Sequence, residues 1–470
     1  MAILKHTRPV GIRLAEALTT VVPPTAEFFA KSCTADAGRV KPGDAYFAPP
    51  GDAVAIMPDI ERAIARGAGA VVTDQWLPIA GAPQFVVEDP RAAFGQLCHA
   101  LVGDPCESLA TTAIAGCRGK TSTAQLLASI LKAAGHPTAT AEAALKSSAA
   151  STASWLAHRV ADGVTHAVLE SPAAAACDSR LAGTEFDVVC LTNLSNPTLR
   201  PSESVDSKRQ QMTAAVDQLR PGGALVINAD DPSSCRLLAE WPGAAVTYGI
   251  NQQADLTATV IERHTGGQTF VLRCGNDSLA VATPTLGHAH LQNCLAAAAT
   301  AFALGVSLEA IARGIESCPT VPARMQSVVC GQGFPIIVDA AADAGEASLA
   351  LDAVAAVTAG RVLTVIDAPP GGRRQLTPAG YQQLAKAAQL ASDKVISVAG
   401  SYAAPLVPDI RVVEDRFTAI ALTLALAEDG DTVLILGGGC EPEALDNDEQ
   451  TIRQLIELRL ANSEPVGLAS

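Results

Sequence analysis

Ala113-Ile114-Ala115-Gly116-Cys117-Arg118-Gly119-Lys120-Thr121-Ser122 is the segment from which the rest of the chain can be interpreted. A short apolar strand enters it. The helix that leaves it carries Leu126, Leu127, Ile130 and Leu131 on one face, with Gly135 placed to end it. Gly116 and Gly119 let the backbone curl so that successive N–H groups point inward. With the helix N-terminus they make a site for a polyphosphate. Lys120 supplies a point charge for the β- and γ-phosphates, and Thr121, followed by Ser122, supplies the hydroxyl that a magnesium ion takes. The common phosphate loop has four residues between its glycines; only Cys117 and Arg118 separate them here. Taken alone, the pattern also fits a chance loop. The order of strand, loop and amphipathic helix favours the nucleotide reading.

Outward from this loop, strand-like runs recur at Thr112 to Ala115, Ala167 to Leu169, Val188 to Leu191 and Ala224 to Ile227, with helical patterns between them. That alternation predicts a mostly parallel sheet with helices on both faces. A second alternating block has strands at Ile336 to Val338, Val362 to Ile366, Val395 to Val398 and Val433 to Leu436. Its helices are expected near Glu346 to Val357, Tyr381 to Ala391 and Phe417 to Ala427, which describes a doubly wound unit. Before the loop, Arg39 to Ala48, a helix at Ile60 to Arg66 and a strand at Ala70 to Val72 predict a small α/β domain. The expected division is 1–105, 106–321 and 322–470, which agrees with a length of 470 residues.

Composition bounds the function. Hydrophobic residues make up 49% and charged residues 17%, which excludes a disordered chain. The net charge of -15, without any basic run, argues against a nucleic-acid partner. Twelve cysteines without a C-x-x-C pair lack zinc-ligand spacing and predict reduced thiols in a cytoplasmic protein. Met1 to Gly11 has no signal-peptide core, and the apolar run Cys294 to Val306 is too short to span a bilayer.

Several further phrases carry a family resemblance. They are Phe186-Asp187-Val188 through Thr192-Asn193-Leu194-Ser195, then Ile227-Asn228-Ala229-Asp230-Asp231-Pro232, and Thr247-Tyr248-Gly249. Leu286-Gly287 with Asn293, and Val321-Pro322-Ala323-Arg324-Met325, complete the set. In order and spacing the chain resembles the Mur ligases, specifically the MurE-like branch that adds the third residue to a UDP-N-acetylmuramoyl peptide. The loop there reads G-T-N-G-K-T-T/S. The resemblance implies a three-domain architecture: a UDP-binding type N-terminal domain, a central ATP-binding sheet and a C-terminal doubly wound domain. It also implies ATP, Mg2+ and a UDP-muramoyl peptide as ligands, and ADP-forming amide synthesis in peptidoglycan precursor synthesis.

Carried over by position, Gly116, Gly119, Lys120, Thr121 and Ser122 hold the nucleotide, and Thr121 and Glu170 the magnesium ion. Asn293 lies near the adenine, while Arg324 and Asp339 approach the ribose and phosphates. Lys208 falls near a carbamylated lysine of the family, across a shortened segment. Each has a plainer alternative: Glu170 as a solvated strand end, Asn293 as a cap, Arg324 and Asp339 as an ion pair, Lys208 as a surface cation. The departures concern the other half of the chemistry. Pro197-Thr198 replace an Asp-His pair, and Ser171-Pro172-Ala173-Ala174 follow Glu170 without the family's histidine. The D-S-R phrase that touches the uridine nucleotide has become Asp36-Ala37-Gly38, and D-Y-A-H-T-P has become Asp339-Ala340-Ala341-Ala342-Asp343-Ala344. The D-N-P-R clamp for the amino acid has no counterpart near Gly400-Ser401-Tyr402, and G-K-G-H-E is Gly437-Gly438-Gly439-Cys440-Glu441. Two readings follow: an ATP-binding pseudo-ligase impaired in catalysis, or an active ADP-forming acid–amino-acid ligase with altered substrates. No motif names a protein partner.

Overall fold

The computed structural model describes residues 11–22, 24–141, 148–171, 180–195, 204–341, 343–367, 378–398, 410–437 and 442–463. They fall into two compact units. One comprises Met1–Thr257 with Leu295–Gly314, the other Ala258–Cys294 with Ile315–Ser470.

The first unit opens with a five-stranded sheet of β1 (Thr20–Val22), β2 (Cys33–Thr34), β3 (Ala45–Phe47), β4 (Ala70–Thr73) and β5 (Gln84–Val87), in the order β1-β5-β4-β3-β2. Helix α1 (Ala53–Ala65) starts on the Asp52 side chain, and α2 (Pro90–Ala100) on Asp89 with proline at its first position. Gly95 of α2 lets this helix lie directly against the backbone of Ala182 and Gly183, a contact that a Cβ at either glycine would fill. Beside that contact, buried His99 places Nε2 3.2 Å from Thr184 Oγ1.

Burial of His99 pulls its pKa from the ordinary 6.5 down to about 4. The folded chain therefore keeps the ring neutral while the unfolded chain protonates it. This contribution to stability is complete above pH 6.5 and is lost as the pH falls toward 4. Urea unfolding at pH 7 and pH 5 is expected to differ by about 2 kcal/mol through this group. His99→Gln should flatten that difference, and an unchanged pH dependence in the variant would refute the assignment.

The central sheet is built from β6 (Ala110–Ala115), β7 (Thr138–Ala141), β8 (His166–Ser171), β9 (Phe186–Leu191), β10 (Leu219–Asn228) and β11 (Ala244–Gly249). These six run parallel in the order β11-β10-β9-β6-β8-β7. The four strand-like runs read from the sequence all lie inside them, extended by a few residues at their ends. Helices α3 (Lys120–Ala133), α4 (Ala149–Ala161), α5 (Val205–Thr213) and α6 (Pro232–Glu240) alternate with the strands. The predicted face of α3 is buried through Leu126, Leu127, Ile130 and Leu131, and Gly135 follows its end at φ +88°. A core on the sheet is mainly aliphatic, with Ala113, Ala115, Leu169, Val189, Leu191, Leu225 and Ile227 packed around Phe186 and Met212.

The second unit contains an antiparallel hairpin that the sequence reading did not anticipate, β12 (Gly267–Cys274) with β13 (Asp277–Thr283). Its turn, Gly275-Asn276, sits between runs that alternate only weakly. Helix α7 (His288–Ala303) spans most of the apolar run singled out above. The parallel strands of this unit are β14 (Ile336–Asp339), β15 (Val362–Ile366), β16 (Lys394–Val398), β17 (Arg411–Val413) and β18 (Thr432–Leu436), in the order β14-β18-β15-β16-β17. Helices α8 (Ala344–Ala355), α9 (Pro378–Ala391), α10 (Arg416–Leu426) and α11 (Pro442–Ser463) accompany them, close to the three expected positions where these were read. At the strand ends the half-buried guanidinium of Arg416 binds the Asp448 carboxylate at 2.7 and 2.8 Å, Asp367 Oδ2 at 3.4 Å, and the carbonyls of Leu436 and Gly437.

Candidate functional site

The central strand order decides where the loop sits. β6 lies between β8 and β9, and the register sets Ala115, Ser171 and Leu191 at one level. The carboxyl ends of these three strands therefore open into one crevice, the usual ligand position in a parallel sheet. Gly116 turns at φ +129° and Gly119 at φ +80°. A side chain at Gly116 would run into Thr192 Oγ1 and the Asn193 carbonyl.

Asp52, Asp89, Ser148, Asp231, Asp343 and Asp415 each cap the helix they precede through a side-chain oxygen. Helix α3 starts instead at Gly119 with no side-chain cap. A helix N-terminus that opens from a glycine loop is a general anion site.

Lys120 Nζ donates to the carbonyls of Gly116 at 2.8 Å and Cys117 at 3.1 Å. Thr121 Oγ1 donates to Glu170 Oε2 at 3.0 Å, although 49 residues separate them. Glu170 lies one residue before the end of β8 with 7% exposure, so it is not the solvated strand end of the plainer alternative. A hydroxyl and a carboxylate at this separation are hard oxygen donors of the kind magnesium takes. Ser122 is buried one residue further along α3. The structure thus gathers Gly116, Gly119, Lys120, Thr121, Ser122 and Glu170.

Sequence reasoning treated the phrases around Thr192, Asp231 and Tyr248 as family markers and missed what they do. Thr192 Oγ1 donates to Arg118 O at 2.6 Å, and Asn193 exchanges two hydrogen bonds with the Arg118 backbone. Asn228 Nδ2 and Tyr248 Oη each donate to Thr192 O at 3.0 Å. Asp231 accepts the amides of Leu194 at 2.9 Å and Ser195 at 3.1 Å while capping α6 through Ser234. Burial would push the Asp231 carboxyl up, but hydrogen bonds from Ser195, Ser234 and Leu194 together hold it below 3.8. The signal available in the sequence was that Thr192 and Asn228 directly follow the strand-like runs Val188 to Leu191 and Ala224 to Ile227.

Asn293, Arg324 and Asp339 belong to the second unit. Asn293 lies half-buried on α7. His290, one turn before it, places Nε2 2.9 Å from Thr283 Oγ1. Asp339 ends β14 and accepts Met325 N at 2.8 Å and Ala341 N at 2.9 Å. Its carboxylate therefore braces the turn in which Ala323 and Met325 take φ of +48° and +49°. Burial raises its pKa to about 6, against the lowering effect of Arg324 and the two amides.

Lys208 is on α5, and its side chain lies outside the described residues. Pro197-Thr198, Pro172 to Ala174, Ala342, Gly400 to Tyr402 and Gly438 to Glu441 also lie outside them. Where the altered phrases are described, they serve the fold. Asp36 Oδ1 accepts Gly38 N at 2.8 Å within its own turn. Ala340 and Ala341 pack into the core, and Asp343 caps α8.

Residues 114–301 match the Mur ligase middle domain, and residues 323–439 match the Mur ligase glutamate ligase domain. The UDP-N-acetylmuramoyl-L-alanyl-D-glutamate–2,6-diaminopimelate ligase of Listeria monocytogenes is 28% identical over 92% of this chain and 94% of its own length. The enzyme of that name from Solibacter usitatus is 32% identical over 86% of this chain and 88% of its own. Among solved structures, one of a ligase of that name superposes with a TM-score of 0.74 at 21% identity, covering 96% of this chain and 99% of that one. A MurF ligase from Thermotoga maritima, solved in complex with ADP, gives 0.63 at 17% identity over 92% and 98%.

Proposed function

This chain belongs to the Mur ligase family, and on that premise we propose that it binds ATP on residues 116–122 but is impaired in adding an amino acid to a UDP-muramoyl dipeptide. The observation that carries the nucleotide half is the gathering of Lys120, Thr121 and Glu170 around an uncapped helix N-terminus. Lys120 places a cation beside the phosphates, and Thr121 with Glu170 would hold Mg2+. When bound, magnesium supplies charge neutralisation on the transferring phosphate. In this reading the chain has three domains, 1–105, 106–321 and 322–470. Asn293, Arg324 and Asp339 serve the nucleotide from beyond the loop, and Lys208 is carried as a weaker catalytic candidate.

Impairment is supported by the residues that took the place of acid–base and clamping groups. Pro197 and Thr198 cannot supply an imidazole, and Ala340 and Ala341 are core methyls. At the strand ends of the C-terminal sheet, Arg416 is bound to Asp448 and Asp367, so its charge is not offered to an amino acid carboxylate. The retained Thr121–Glu170 pair favours the second reading, an active ADP-forming ligase with altered substrates. No helix among the described residues is long and apolar enough to cross a membrane. A cytoplasmic location belongs to the same proposal.

The nucleotide half is tested by Lys120→Ala. Titration calorimetry is expected to record ATP binding weaker by about 1.5–3 kcal/mol, the size of a charged hydrogen bond. Equal affinity in the two proteins would remove the proposal.

A further inference from the structure

Cys33 and Cys98 are 65 residues apart in the chain, yet their Sγ atoms lie 3.5 Å from each other. Both are free thiols. Cys33 opens β2, the edge strand of the five-stranded sheet, in register with Ala45 of β3. As part of an edge strand it is only half-buried. Cys98 sits in the last turn of α2, 4% exposed and next to fully buried Leu97. The strand lies against the helix, so the two sulfurs meet across a packed contact. The hydrogen bond with Cys33, reinforced by burial, raises the pKa of the Cys98 thiol. Cys98 is therefore the sulfur that keeps its proton, and Cys33 is the one that a small solute reaches.

We propose that Cys33 and Cys98 form an oxidative modification site, at which a small peroxide converts the dithiol to a disulfide that ties β2 to α2. Cys33 attacks a peroxide oxygen, the O–O bond breaks, one water leaves and Cys33 becomes a sulfenic acid. Cys98 then attacks that sulfur. The S–O bond breaks, the Cys98 proton departs with the hydroxyl as a second water, and the S–S bond forms. The two thiols lose two hydrogens and two electrons in all, and one hydrogen peroxide becomes two waters. Because the sulfurs are already in van der Waals contact, the second step outruns further oxidation of Cys33 to the sulfinic acid. The bond restrains the strand from which the Asp36-Ala37-Gly38 turn departs.

The test treats the reduced full chain with hydrogen peroxide, blocks the remaining thiols and digests with trypsin. The peptide 32–39, whose only cysteine is Cys33, should be recovered joined through Cys98 to the peptide 92–118, with two hydrogens lost. Dithiothreitol should reverse the link. Hydrogen exchange over residues 32–39 should slow by about tenfold or more in the linked chain, a modest share of what a disulfide contributes. Cys98→Ala should leave Cys33 as a sulfenic acid that dimedone traps. Recovery of Cys33 as a free thiol, or as sulfinic acid without the link, would overturn the proposal. A link from Cys33 to Cys106 or Cys117 would overturn it too, as would unchanged exchange in the linked chain.

Discussion

Purified protein supplied with ATP, Mg2+, a UDP-muramoyl dipeptide and a panel of amino acids is expected to release ADP no faster than with ATP alone. On the proposed reading three kinds of group are replaced: the Asp-His pair at Pro197-Thr198, the uridine contact at Asp36-Ala37-Gly38 and the amino acid clamp. Preorganised charge-stabilising groups contribute about 2–4 kcal/mol of barrier each, so three losses correspond to about 6–12 kcal/mol, or at least about 10⁴ in rate. A phosphate nest survives such losses because it is made of glycines and backbone amides. Transfer chemistry does not, since carboxylate, γ-phosphate and amine must be aligned together. Restoring Asp-His at 197–198 alone should not recover activity while the clamp is missing. Complementation of a strain lacking its own third-residue ligase provides the independent check. Growth at ordinary expression, or ADP release requiring both co-substrates, would establish the active-ligase reading instead.

Asp231→Ala is expected to destabilise the chain by about 3–4 kcal/mol and to weaken ATP binding without removing any atom that touches nucleotide. The carboxylate accepts the amides of Leu194 and Ser195 and caps α6. Its removal strands buried donors and deletes an N-cap, each a loss of about 1–2 kcal/mol. Leu194 and Ser195 continue from Thr192 and Asn193, which hold the Arg118 backbone, so the disturbance reaches the loop. Denaturant midpoints measure the first effect and ATP titration the second. Asp231→Asn keeps one acceptor oxygen and should fall between the two proteins. Wild-type stability in Asp231→Ala would show that this brace is dispensable.

The local signals in the chain were strong. Gly116 and Gly119 bracket a turn that only positive φ can make, and their spacing from Lys120 and Thr121 is a property of a few consecutive residues. The alternation of apolar runs with periodic helices reported parallel α/β layers, since period and length are local as well. The hairpin Gly267–Thr283 escaped notice because its outward positions carry Val271 and Ala280 as well as polar residues, which blurs the two-residue alternation. The individual phrases identified a relationship without revealing their work.

What the sequence determined by itself was therefore the phosphate loop, the helix behind it and the α/β class, all consequences of backbone conformation and side-chain period. Only the tertiary structure decided that Glu170 meets Thr121, that Asn193 and Thr192 grip Arg118, and that Asn228 and Tyr248 from two further strands and Asp231 from the cap of α6 support them. Those partners are set by β6 lying between β8 and β9, with β10 and β11 outside them. Strand order depends on which buried faces pack together over the whole sheet, and no local period in the chain encodes it.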